Sequence, residues 1–135
     1  MRGSLTVGVL MAAIGSGAQA ISYGGHTPTA IEQARLPTYC YAQFVDTKYA
    51  GKPGYSLPPA CGVYMNHLCP GYLNLMRAEA ATATPNIKVQ NARGAISNFK
   101  YTLNGMTPSC PLRPEVEAAL IKAESILRLN SKLLR

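Results

Sequence analysis

Residues 61–72 read CGVYMNHLCPGY and bring a thioether, an imidazole and a thiol together at Met65, His67 and Cys69, with a second cysteine at Cys61. These are the donors that copper-type soft metals take. The first chemistry to weigh is therefore a soft-metal or redox centre built on Met65, His67 and Cys69. Spacing counts against it, because side chains two apart on a helix diverge, and the three converge only if the segment is extended or forms a helix end. Cys61 and Cys69 stand eight apart, outside the common zinc spacings. The chain has no Cys-x-x-Cys for a thioredoxin-type couple or a haem attachment. The competing reading makes the cysteines structural and has His67 cap or pack at a helix entrance.

Acid–base catalysis has few groups to draw on. The acidic residues are Glu32, Asp46, Glu79, Glu115, Glu117 and Glu124. A glycosidase needs two carboxylates opposed across a cleft, for which Asp46 with Glu79 is only a formal pair. Glu115 and Glu117 fall where a helix begins, and there they complement its dipole. The two histidines and the serines form no nucleophile motif, so the expectation is a non-catalytic chain without a cofactor. Thirteen Lys and Arg against six acids give a formal charge of +7. Lys88, Arg93, Lys100, Lys122, Arg128, Lys132 and Arg135 either solvate outer helix faces or attract an anionic polysaccharide, lipid headgroup or acidic protein.

The elements that would position these groups begin after a leader. Arg2, the apolar run Leu5–Ile14 and Ala18-Gln19-Ala20 have the order of a cleaved secretory signal over residues 1–20, too short in its apolar part to span a bilayer. Residues 21–135 then read as a single domain: a segment and loop over 21–65, then a three-helix unit over 66–135. An exported chain of this size with four cysteines is expected to hold two disulfides. Export also counts against nucleic acid as a partner.

Residues 21–28 read as a flexible arm. Thr29 and Glu32, three apart, match a capping box, and the short helix they start must end before Pro37. The stretch 38–45 (TYCYAQFV) fits a helix or a strand, and the Pro- and Gly-rich residues 50–60 predict an irregular loop. Leu68, Tyr72, Leu75 and Met76 predict a helix over about 66–81, with Pro70 in its first turn. Val89, Ala92, Ile96, Phe99, Leu103 and Met106 recur at 3, 4, 3, 4, 3 and predict one helix over 87–106. Pro114 with Val116, Leu120, Ala123, Leu127 and Leu134 predicts a third. The expected core is Leu68, Tyr72, Leu75, Ile96, Phe99, Leu103, Leu120 and Leu127. The turn bearing Cys110 falls at the same end of the bundle as Cys61 and Cys69, so Cys110 can reach either.

Ala95, Phe99 and Pro108 resemble the small, aromatic and proline positions of a tetratricopeptide-type repeat, with Thr102 where alanine is usual. Only one such unit is present, whereas a solenoid stacks several. Tyr39-Cys40, Asn66-His67-Leu68-Cys69-Pro70-Gly71, Arg77-Ala78 and Phe99-Lys100-Tyr101 resemble a group of uncharacterised exported proteobacterial TPR-like helical proteins, with Leu68 replacing an aromatic. The resemblance implies fold and compartment, and it implies a Cys40–Cys69 bridge, which leaves Cys61 for Cys110. The whole predicts an all-α small bundle: a TPR-like helix-turn-helix, a third C-terminal helix, and an irregular disulfide-stapled N-terminal half. Such a periplasmic or secreted module would bind an envelope protein or assemble with itself. Leu127, Leu129, Leu133 and Leu134 are more apolar than one buried stripe requires, and are the candidate contact.

Overall fold

The computed structural model describes residues 26–134. The signal-peptide reading of 1–20, the first part of the arm, and Arg135 lie outside the described residues. Five α-helices follow one another: α1 (Ala30–Arg35), α2 (Tyr41–Phe44), α3 (Leu68–Glu79), α4 (Pro85–Gly105) and α5 (Arg113–Lys132). Short 3-10 turns precede α2 and α3, and no strand occurs among the described residues.

Several boundaries have a local cause. At α1 the Thr29 hydroxyl accepts from the Glu32 amide while the Glu32 carboxylate accepts from the Thr29 amide, which completes the capping box. The ambiguous stretch 38–45 is helical, a 3-10 turn at Thr38–Cys40 running into α2. The helix expected over 87–106 starts two residues earlier, because Thr84 caps the Ile87 amide and Pro85 occupies the first position, where its missing N–H is not needed. At the other end of α4, Arg113 donates to the carbonyl of Met106 at 2.6 Å. It thereby satisfies a carbonyl just beyond the helix.

Helices α3, α4 and α5 are joined by short turns and form an antiparallel bundle with α4 in the middle. Their shared core contains Met65, Leu68, Leu75, Ala95, Phe99, Met106, Val116 and Ala123. Tyr72, Ile96, Leu103 and Leu120 pack against it while half-buried. Leu127 is also half-buried, and Ile126, its neighbour, packs against the core instead. A second cluster of Leu36, Cys40, Phe44, Cys69 and Leu73 lies under the N-terminal half. Tyr39 and Tyr72 touch both clusters and join them. Each fully buried Leu or Phe contributes about 1.5–3 kcal/mol of transfer free energy.

The loop over 50–60 has little regular structure but is not loose throughout. Tyr49 and Tyr55 stack at 4.7 Å, and Tyr41 meets Tyr49 edge-on at 5.5 Å. The arm also ends earlier than its composition implies. Pro28 is fully buried, and the Thr27 carbonyl accepts from Arg77 Nη2 at 3.0 Å.

Candidate interaction surface

The stretch around Cys61–Tyr72 is held by covalent and hydrogen bonds. Cys40 is bonded to Cys69, and Cys61 to Cys110. No free cysteine remains. Beside the second bridge, the Thr107 hydroxyl donates to the Ala60 carbonyl and the Thr107 amide to the Cys61 carbonyl at 3.3 Å. This fastens the loop before α3 to the turn after α4. The soft-metal centre loses its thiolate, since the Cys69 sulfur is bonded to Cys40. Met65, 4% exposed, is a core residue. Among the described residues no cluster of three His, Cys, Asp or Glu side chains converges.

His67 packs at the entrance of α3 and does not cap it. It makes no side-chain capping bond. Its Nδ1 lies 2.6 Å from Asn98 Oδ1, and its ring sits 4.1 Å from that of Tyr101. Gly71, in the first turn of α3, lets Phe99 approach, since a Cβ there would lie 2.6 Å from Phe99 Cε1.

All six carboxylates are engaged. Glu32 binds Arg77 through both oxygens, at 2.7 and 3.1 Å. The Arg77 hydrogen bond outweighs burial and holds the Glu32 carboxyl below its ordinary range, helped by the Thr29 amide. Asp46 accepts from the Lys48 amide and pairs with its ammonium. Glu79 pairs with Lys122, Glu117 with Arg113, and Glu124 with Lys100. Asp46 and Glu79 are therefore each held by a different partner. Glu115 accepts from the hydroxyls of Tyr39 and Tyr72 at 2.9 and 2.6 Å, a role beyond the dipole contact expected of it. Burial raises both phenols. The Glu115 bond adds to the rise at Tyr72, while at Tyr39 the hydroxyl of Tyr72 opposes it.

A group of exposed apolar side chains lies on α5 and just past its end. Four of the nine large exposed hydrophobic residues among those described are Ile121, Leu129, Leu133 and Leu134. Leu129 and Leu133 are 61% and 71% exposed, and Ile121 is 64% exposed. Ile121, Ser125, Leu129 and Leu133 are spaced four apart. Positions four apart form one row on an α-helix, here interrupted at half-buried Ser125 and carried to Leu133 just past the end of α5, and such a row can interdigitate with a second helix. Leu127 lies off this ridge and is half-buried. The leucine-rich tail is thus exposed at Leu129, Leu133 and Leu134 and turned partly inward at Leu127. Ile121 is the member the sequence reading missed, although its spacing from Leu129 carries the signal. Arg128 and Lys132 are exposed beside the ridge and supply its basic flank.

No protein-family model, no curated protein and no solved structure matches this chain. No helix among the described residues is long and apolar enough to cross a membrane.

Proposed function

We propose that the chain is an exported, non-catalytic interaction module that docks through the α5 ridge onto a helical, mostly apolar surface. That surface belongs to another protein of the cell envelope or to a second copy of the chain. The exposed row Ile121, Leu129 and Leu133 carries the reading, since scattered exposed hydrophobics are ordinary whereas apolar residues aligned along one helix face supply a packing surface. The two disulfides fit an oxidising compartment outside the cytoplasm. Engagement of all six carboxylates in ties within the fold supports a scaffold over an acid–base enzyme. The TPR-like reading belongs to the same proposal: Ala95, Phe99 and Thr102 lie, with Ala92, on the fully buried part of α4, and a single repeat-like unit leaves its outer helix unpartnered.

A photo-crosslinking amino acid placed at Leu129, with one at exposed Ser97 on α4 as reference, tests the proposal in the producing cell. The expected result is a discrete adduct from position 129 and none from 97. Equal labelling at both positions, or none at 129, overturns it.

A further inference from the structure

A cleft of about 330 Å³ opens between α1, the end of α3 and the start of α4, with the Glu32–Arg77 pair in its wall. Its walls are of two kinds. Met76, Ala83 and Ile87 present apolar surface, and Ile87 is 46% exposed. Glu32, Arg35 and Arg77 supply charge. An apolar hollow with a few convergent polar groups is the usual form of a small-molecule site. Waters of about 30 Å³ each would fill it with roughly ten molecules, the space of a ligand of about ten non-hydrogen atoms.

The charges define the ligand further. Arg77 is fixed by Glu32 through two hydrogen bonds and by the Thr27 carbonyl, so its charge is balanced within the wall. Arg35, exposed in the last turn of α1, forms no ion pair among the described residues. Two arginines and one glutamate leave a net charge of +1 at the mouth. That suits a monoanion, while the Glu32 carboxylate disfavours a dianion. A peptide would need partners for several amides, and the wall offers few: Asn91 already gives one N–H to the Ile87 carbonyl at 2.9 Å, leaving its remaining amide groups and the Thr82 hydroxyl. Unpaired amides against apolar walls are costly, whereas a hydrocarbon chain has none to satisfy.

We infer that this cleft binds a medium-chain aliphatic monocarboxylate, its head on Arg35 and its chain along Met76, Ala83 and Ile87. The site is separate from the α5 ridge, so the failure of either proposal leaves the other standing. The test is an amide NMR titration of the purified chain with octanoate. 1-Octanol and acetyl-Leu-Leu serve as comparison ligands, and Arg35→Gln and Arg128→Gln as variants. Octanoate is expected to shift amides in 32–35, 76–83 and 87–91 saturably. Loss of a charge-assisted contact in Arg35→Gln should weaken it about tenfold, with octanol binding unaltered and Arg128→Gln within about twofold of the wild type. Four results overturn the inference: no saturable shift, octanol binding as tightly as octanoate, equal effects of the two variants, or acetyl-Leu-Leu binding more tightly than octanoate.

Discussion

Gly71→Ala measures how closely α3 and α4 are packed. In an unconstrained helix the change stabilises by about 1 kcal/mol, because glycine is the poorer helix former. At Gly71 the added Cβ would stand 2.6, 2.8 and 3.2 Å from Phe99 Cε1, Cδ1 and Cζ. Carbon atoms in contact prefer about 3.5–4.0 Å, so the overlap is close to 1 Å. The ring has nowhere to retreat, being fully buried and set edge-to-face on Tyr72 at 5.3 Å and 68°. Overpacking of this kind costs about 1–3 kcal/mol. With the upper half of that range set against the propensity gain, the net loss is about 1–2 kcal/mol. Urea unfolding with the disulfides intact should show the midpoint falling by roughly 0.5–1 M. In a Phe99→Leu background the ring is gone, and Gly71→Ala should become neutral or stabilising, a coupling of about 1–3 kcal/mol. A midpoint that rises in both backgrounds would refute the packing argument.

Three further outcomes follow from the ties within the fold. Replacing Cys61 and Cys110 by Ala opens a loop with a sequence separation of 49. It should cost about 4 kcal/mol in the chain-entropy model, read from the unfolding midpoint, and a loss below about 1 kcal/mol would contradict it. The Glu32 carboxyl is held below its ordinary 4.5 in the folded state, so its contribution is present above that pH and lost as pH falls through the lower folded value. Thermal melts of Glu32→Gln should therefore lie below the wild type at pH 7 and converge with it on acidification, and a constant gap would count against the Arg77 tie. The Tyr72 phenol is raised above its ordinary 10.0, so its contribution is present below pH 10 and lost as pH rises beyond it. Tyr72→Phe should flatten that alkaline decline in stability, whereas an unchanged slope would place the hydroxyl in solvent.

The helices of the bundle were legible because burial imposes a period. On α4 the expected face Val89, Ala92, Phe99 and Met106 is buried, but Ile96 and Leu103 are only half-buried. A helix packed on both sides also buries Ala95 and Thr102, and the Thr102 hydroxyl tolerates this by donating to the Asn98 carbonyl at 3.0 Å. Such a broadened stripe blurs a single-face pattern. The disulfides followed from a resemblance, since geometry left Cys110 two partners. What stayed hidden depends on distant residues meeting. Glu32 and Arg77 stand 45 apart, and Tyr39 and Glu115 stand 76 apart, with no local signal at either end. The same holds for Pro28, which reads as part of an arm until Arg77 binds the adjoining Thr27 carbonyl. Ile121 escaped notice because a lone isoleucine among Lys122, Glu117 and Glu124 looks incidental until the four-residue ridge is drawn.

If the proposed docking is right, the α5 ridge is covered in the working protein, and sedimentation of the tagged chain in extract from the producing organism, compared with Leu129→Lys combined with Leu133→Lys, decides it. Both positions are more than half exposed, so the substitutions should leave the fold intact, as circular dichroism can verify. The wild-type chain is expected to sediment in a complex larger than the chain alone, and the folded double variant as a monomer. A wild-type chain that runs as a monomer, or a double variant that stays in the same complex, would contradict it.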